Sequence, residues 1–99
     1  MSIEKRRIYE RKPFVKNIKY YLTYPPHMEE SKKIEFDAVT VDISEGGLGM
    51  ITDYPLMTGD TLSFKDEIKV DNFVAKSSTV RWSTVLAADR CRAGVEFVR

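Results

Sequence analysis

The sequence has too little cysteine and histidine for the chemistry that these residues usually support. It contains one cysteine, Cys91, and one histidine, His27, in 99 residues. A single cysteine excludes an intrachain disulfide, and one Cys with one His gives too few ligands for a Cys/His zinc site. An enzyme would have to rely mainly on carboxylates, and none are spaced as a catalytic pair. We therefore expect neither catalysis nor a metal site, and interpret Cys91 as a small apolar strand residue.

Long apolar runs are also missing. No run approaches the roughly 20 residues that a transmembrane helix needs, and the first residues, MSIEKRRIYERK, lack the apolar stretch of a secretory signal. The apolar fraction of 42% and the charged fraction of 31% are typical of a folded globular domain. These features predict a single cytoplasmic domain without membrane insertion.

Helical periodicity is absent, and short β-type segments separated by turns take its place. An alternation of Ile34, Phe36 and Ala38 with acidic residues shifts to Val39, as a β-bulge allows. The segments predict a six- to seven-stranded antiparallel barrel or sandwich. The predicted strands are Phe14–Tyr24, Ile34–Ile43, Leu48–Thr52, Thr61–Phe64, Ile68–Val70, Phe73–Leu86 and Cys91–Val98.

The charge is unevenly distributed along the chain. The formal net charge is +1, but residues 1–20 hold seven Lys or Arg and two Glu, which gives +5 for that segment and −4 for the remainder. A basic arm suits a compact anionic ligand or a nucleic-acid backbone, whereas the acidic remainder argues against a broad nucleic-acid surface. We divide the chain into an arm, residues 1–12, and a barrel, residues 13–99.

Two short motifs resemble those of the PilZ family of cyclic di-GMP receptor domains. Arg7 and Arg11 have the spacing of its RxxxR motif, and the run from Asp42 to Gly47, DISEGG, has its D/NxSxxG pattern. Gly59-Asp60, Val80-Arg81-Trp82 and the closing run AGVEF at 93–97 continue the likeness over nearly the whole chain. The resemblance implies a stand-alone PilZ β-barrel that binds this bacterial second messenger without catalysing a reaction.

The resemblance also implies a role for each motif residue. Arg7 and Arg11, with Arg6 as an additional candidate, would contact phosphates and guanines from an arm folded over the barrel mouth. A guanidinium suits this role because it binds phosphate bidentately, hydrogen-bonds guanine and stacks on bases. Asp42 and Ser44, which share a face of an extended strand, would read guanine. Local turn hydrogen bonds are the alternative for this pair.

Three further residues complete the predicted ligand site. Gly46 and Gly47 tolerate a positive φ and leave room for a base or phosphate, or they form a tight turn between strands. Trp82 would pack beside the nucleotide, as an aromatic residue does in some PilZ domains. Because Val80 and Trp82 share a face of a regular strand, a core or rim position is the alternative for the tryptophan.

The predicted function is that of an adaptor. Cyclic di-GMP would order an arm that is otherwise mobile through about Lys12, because the arm has too few apolar side chains to offset the entropy of fixing it unaided. An unidentified partner protein would recognise the ordered form, and no cofactor is expected. Two alternatives remain at this point: a small β-barrel that binds nucleic acid, and a PilZ-like protein-interaction domain that binds no nucleotide.

Overall fold

The computed structural model describes residues 11–24 and 32–99. Seven strands account for most of these residues, and the described part of the chain contains no helix. The predicted all-β class is therefore confirmed. The strands are β1 (Lys12–Pro13), β2 (Asn17–Tyr24), β3 (Lys32–Ile43), β4 (Gly47–Thr52), β5 (Thr61–Val70), β6 (Phe73–Ala87) and β7 (Arg90–Phe97).

The sheet closes on itself. Its strand order is β1-β3-β2-β5-β6-β7-β4, all described pairs are antiparallel, and an additional pairing of β3 with β4 completes a six-stranded barrel. The short β1 extends the line of β2 along β3, so the predicted arm–barrel boundary between residues 12 and 13 falls inside a strand. The interior is filled by alternating side chains of the six long strands, among which Tyr20, Leu48, Met50, Leu62 and Val80 are completely buried.

Thr40 explains why two of the predicted strands differ from the observed ones. Its side chain points into the barrel, and its hydroxyl donates to the carbonyl oxygen of Phe14 (2.6 Å) and accepts from the amide of Lys16 (2.9 Å). These bonds hold residues 14–16 between β1 and β2, so the predicted strand Phe14–Tyr24 is broken at its start. They also keep Thr40 in the inward register, and the bulge in β3 lies between Thr40 and Asp42, not at Val39, which is exposed.

The predicted strands Thr61–Phe64 and Ile68–Val70 form one strand. Within β5 the register to β6 shifts between Ser63 and Ile68, because the intervening Lys65, Asp66 and Glu67 bulge outward instead of turning the chain. The remaining predicted strands agree with the structure to within two residues at each end. Cys91 is a strand residue of β7, as predicted, and it is buried in the core. No helix in the described ranges is long and apolar enough to span a membrane.

Candidate functional site

The end of β3 carries the second sequence motif, and its two polar side chains lie in different surroundings. Ser44 is buried in the turn to β4, where its hydroxyl accepts from the amide of Gly46 (3.2 Å) and its own amide donates to the carbonyl of Gly47 (2.8 Å). Asp42, in the strand, is partly exposed on the outer face. The shared-face prediction is wrong because Ser44 lies beyond the end of β3, and its hydroxyl makes the local turn bonds that were the alternative.

Asp42 meets the one arm arginine that the structure describes. The carboxylate oxygen Oδ1 accepts from Arg11 Nη2 at 2.8 Å and from Arg11 Nε at 3.3 Å. Both bonds go to Oδ1, and Oδ2 accepts none from the residues that the structure describes. The two predicted ligand contacts, 31 positions apart in sequence, are thus already together, and one carboxylate oxygen remains available. Arg6 and Arg7, like His27, lie outside the described residues.

Two glycines extend the site from Asp42 across the barrel wall. Gly49 of β4 pairs with Asp42, Gly94 of β7 pairs with Gly49, and Trp82 of β6 pairs with Gly94. We call these four residues the glycine row. The row faces outward because its members in β4 and β7 alternate with inward residues that are fully or almost fully buried, namely Leu48, Met50, Ala93 and Val95.

The flanking side chains lean over the glycines. A Cβ added at Gly49 would lie 2.9 Å from Oδ1 of Asp42, and one added at Gly94 would overlap the indole of Trp82. Both glycines are buried, so glycine at these two positions lets the Asp42 carboxylate and the Trp82 indole lie close over the sheet, and we call the two glycines the floor of the row. The site lies on the outer face of the barrel wall. Arg11 contacts this outer face, whereas the sequence predicted that the arm would fold over the mouth of the barrel.

Trp82 reaches this face through a β-bulge. The register between β6 and β7 shifts between Val80 and Trp82, which leaves Arg81 as an extra residue. Val80 is consequently buried while Trp82 is 46% exposed, so the prediction that they share a face is wrong. Arg81 forms an exposed ion pair with Glu96 (3.2 Å) beside the row.

Gly47 has a packing role. A Cβ at this position would overlap the carbonyl oxygen of Val95, so glycine is required for β4 to approach β7 this closely. Gly46 accepts a backbone bond from Phe97 (2.9 Å) at the same end of the barrel. Among the described glycines only Gly59 has a positive φ, so Gly46 and Gly47 do not use the freedom that the sequence suggested.

Three site residues were missed by sequence reasoning. Gly49 and Gly94 lie opposite one another only because of pairing between distant strands, although Gly94 belongs to the AGVEF run that carried the resemblance. Arg92, two residues before Gly94 on the same outer face, has a buried Nε with no hydrogen-bond partner among the described residues. A buried guanidinium nitrogen without an acceptor is uncommon, and it makes Arg92 a candidate for contact with an anionic group. An arginine in a half-exposed strand gives no such indication in sequence.

Comparison with known proteins agrees with the geometry. The family model described as PilZ domain matches residues 5–99. The chain belongs to the PilZ family. PilZ is a family of cyclic di-GMP receptor domains, and the matched range includes Arg6, Arg7 and Arg11 as well as the whole barrel. A comparison with curated proteins finds no matching sequence.

The PilZ family is a binding family and not typically catalytic. The side chains of the site agree with that description, since they comprise an ion pair, a partly exposed indole and the guanidinium of Arg92. The described residues contain no group of three or more His, Cys, Asp or Glu that could hold a metal ion. The arrangement is suited to holding a planar ligand that also carries negative charge.

Proposed function

We propose that this PilZ domain binds cyclic di-GMP on the outer face of its barrel, over the glycine row, and transmits the bound state to a partner protein. The observation that carries the proposal is the floor of two glycines between Asp42 and Trp82, with Arg11 bonded to Asp42. A purine is flat and needs a flat surface of backbone or aromatic ring. The row provides the exposed indole of Trp82 at one end and a hydrogen-bond acceptor, Asp42, at the other.

The acceptor determines which purine fits. Guanine presents the N1–H and the 2-amino group as adjacent donors, and Oδ2 of Asp42 is available to accept from them. Adenine can donate only from its 6-amino group, and its N1 lone pair would face the carboxylate where guanine presents a second donor. Trp82 offers a face for stacking. Arg11 and Arg92 supply guanidinium groups for phosphate or for guanine O6 and N7.

The remaining predicted contacts come from the arm and the turn. Arg6 and Arg7 precede Arg11 by five and four residues, a distance that allows the same ligand to be reached by all three. Ser44 would act by holding the turn beside Asp42. Because Arg11 and Lys12 already contact the barrel, the ligand-dependent ordering that we propose concerns residues 1–10. The ordered arm over the glycine row would be the surface that a partner recognises.

Calorimetric titration with cyclic di-GMP, cyclic di-AMP, GMP and GTP tests this proposal. We expect selective binding of cyclic di-GMP, since linear nucleotides lack its paired bases and phosphates. Equal affinity for cyclic di-AMP, or no binding at tens of micromolar, a ceiling of about −6 kcal/mol, would contradict the proposal. The latter result would favour a PilZ-like domain that binds only protein.

Two further measurements address the arm and the nucleic-acid alternative. Hydrogen exchange on residues 3–10 should slow when cyclic di-GMP is added, and strong protection without ligand would show a preformed site instead. Titration with single-stranded DNA and RNA at two salt concentrations should give weak binding that disappears at the higher one. Tight binding of nucleic acid that exceeds binding of cyclic di-GMP would support the alternative function.

A further inference from the structure

The barrel wall is incompletely paired between β2 and β5. These strands pair only at Tyr20–Phe64, Tyr21–Ser63 and Leu22–Leu62. Residues 17–19 of β2 pair with β3 on one side, and among the described residues no strand pairs with their other side. The bulge in β5 carries residues 65–67 away from the ladder. We call residues 17–19 and 65–69 the seam.

Two cavities open at the seam. One has a volume of about 590 Å³ and the other about 360 Å³, and both are lined by residues 17–19 and by Asp66. Ile18 and Ile68 supply apolar surface to the smaller cavity, while Val39 and Ile51 do so in the larger one. A strand edge next to apolar pockets is the surface to which an extended peptide adds, with backbone bonds giving affinity and pockets accepting alternate side chains.

We propose that the seam binds an extended segment of a partner protein, which adds as a strand to the edge of β2 and places a basic side chain in the larger cavity. The unpaired edge is about 10 Å long at 3.3 Å per residue, so it accommodates roughly three residues of a partner strand. A strand this short gives weak binding on its own and would act as one part of a larger contact.

The charges that line the larger cavity favour a basic side chain on the partner. The larger cavity is lined by three carboxylates, Asp37, Asp53 and Asp66, and by two cations, Lys19 and Arg90. Lys19 is already engaged, because its ammonium group contacts both Asp37 and Glu35. Among the described residues Asp53, Asp66 and Arg90 take part in no ion pair, which leaves the cavity with one more unengaged carboxylate than unengaged cation.

The seam is connected to the glycine row through the chain between β1 and β2. Arg11 contacts Asp42 at one end of this stretch, and Asn17 begins the unpaired edge at the other. Between them, residues 14–16 are bonded to Thr40 and Val41 of β3. A ligand that binds Arg11 beside Asp42 would therefore act on the stretch of chain that leads directly into the edge of β2. The inference that cyclic di-GMP binding affects the seam rests on the proposed function. The inference that the seam binds a peptide does not.

Nuclear magnetic resonance titration of the full chain with capped pentapeptides tests the inference. The probe is Thr-Lys-Val-Lys-Thr, compared with Thr-Glu-Val-Glu-Thr and with the lysine peptide N-methylated at every backbone amide. We expect amide shifts at residues 17–19 and 65–69 with the lysine peptide, at a dissociation constant of about 1 mM. The glutamate peptide should bind more weakly, and the N-methylated peptide, which cannot donate backbone bonds, should give no shifts at the seam.

A charge reversal supplies the matched control. Asp66→Lys should weaken the lysine peptide about two- to five-fold, whereas Asp89→Lys, an exposed change in the turn between β6 and β7, should leave its affinity unchanged. Shifts confined to other surfaces, or equal binding of the lysine and glutamate peptides, would overturn the proposal. Cyclic di-GMP is titrated into the same samples, because its binding does not require the seam. A protein that binds cyclic di-GMP but not the lysine peptide would contradict the seam proposal alone. A protein that binds the peptide but not cyclic di-GMP would contradict the proposed function alone.

Discussion

Two outer faces of the same barrel are built in opposite ways. On the wall formed by β3, β4, β7 and β6, two buried glycines let the side chains of Asp42 and Trp82 lie close over the sheet. On the wall formed by β2, β3 and β5, the outward positions carry charged side chains that bond to one another, Lys19 with Asp37 and Glu35, and Glu35 with Lys65. The hydrogen bond that Lys19 donates to Asp37, followed by the charge of that carboxylate, raises the pKa of Lys19.

The charged residues of the two walls have different roles: those around Lys19 pair with one another at the surface, whereas Asp42 belongs to the candidate site. Exposed ion pairs contribute at most about 1 kcal/mol to stability, and the charged groups around Lys19 are already paired with one another. In the glycine row the absence of two side chains brings Asp42 and Trp82 close to the sheet, with an indole exposed to solvent and one carboxylate oxygen that has no partner among the described residues. Substitutions on the two walls should therefore have unequal effects on binding at comparable cost to stability.

The largest effect should come from removing the carboxylate of the glycine row. We expect Asp42→Ala to weaken cyclic di-GMP binding on the order of 10- to 150-fold, because a charged hydrogen bond to guanine contributes roughly 1.5–3 kcal/mol. The free energy of unfolding should fall by less than about 1 kcal/mol, since the Arg11–Asp42 pair is partly exposed. Asp37→Ala on the other wall is the matched control for calorimetry. An equal loss of affinity in both variants would show that diffuse charge, not the site, drives binding.

A methyl group in the floor should have the next largest effect. Gly94→Ala would force the indole of Trp82 away from the row, and we expect about 10-fold weaker binding together with a shift in tryptophan emission. Trp82 is the only tryptophan, so the emission reports this position alone. Gly49→Ala should cost less, because the added Cβ meets only the end of the Asp42 side chain. Unchanged affinity in Gly94→Ala would mean that the ligand does not lie over the row.

Replacing the guanidinium by an ammonium group should give a smaller change. Arg11→Lys keeps the positive charge near Asp42 and loses the planar, bidentate geometry, so we expect about three- to ten-fold weaker binding by calorimetry. The reciprocal change on the other wall, Lys19→Arg, should have no effect on affinity. If Arg11→Lys bound as tightly as the native protein, Arg11 would act as a point charge only.

Local patterns were sufficient to predict much of the fold. Strands with alternating apolar residues, the turn after β3 and the buried Cys91 all follow from short stretches of sequence. The bulge at Arg81 did not follow, because a two-residue period extrapolates Trp82 to the interior. The inward position of Thr40 did not follow either, since nothing near it in sequence shows that residues 14–16 supply partners for its hydroxyl.

The candidate site, too, could be predicted only in part, because local sequence patterns do not show which strands pair. Asp42 and Arg11 belong to recognisable motifs, and the structure brings them together. The floor between Asp42 and Trp82 depends on the register of four strands, and a glycine at the right register is indistinguishable in sequence from one in a turn. Three-dimensional pairing was needed to show that Gly49 and Gly94 are neighbours.

The smallest effect on binding should come from the interior of the opposite wall, where Tyr20→Phe should leave the affinity for cyclic di-GMP unchanged. Tyr20 is buried, and its hydroxyl bonds to that of Thr52 (2.8 Å), which also donates to the carbonyl of Asp37. Because Thr52 keeps this second partner, the substitution should cost about 1 kcal/mol of stability at neutral pH.

The same substitution has a pH dependence of known sign. Burial raises the pKa of Tyr20 to about 12 from an ordinary value of 10.0. The neutral phenol is thus favoured in the folded state, and its contribution to stability is fully present below about pH 10 and lost as the pH rises toward 12. Denaturant unfolding from about pH 8 to about pH 12 should show a shallower decline for Tyr20→Phe than for the native protein, with Tyr21→Phe on the outer face as the control. Parallel unfolding curves would show that folding does not raise the pKa of Tyr20. A loss of cyclic di-GMP affinity in Tyr20→Phe would show that the two walls are coupled through the core.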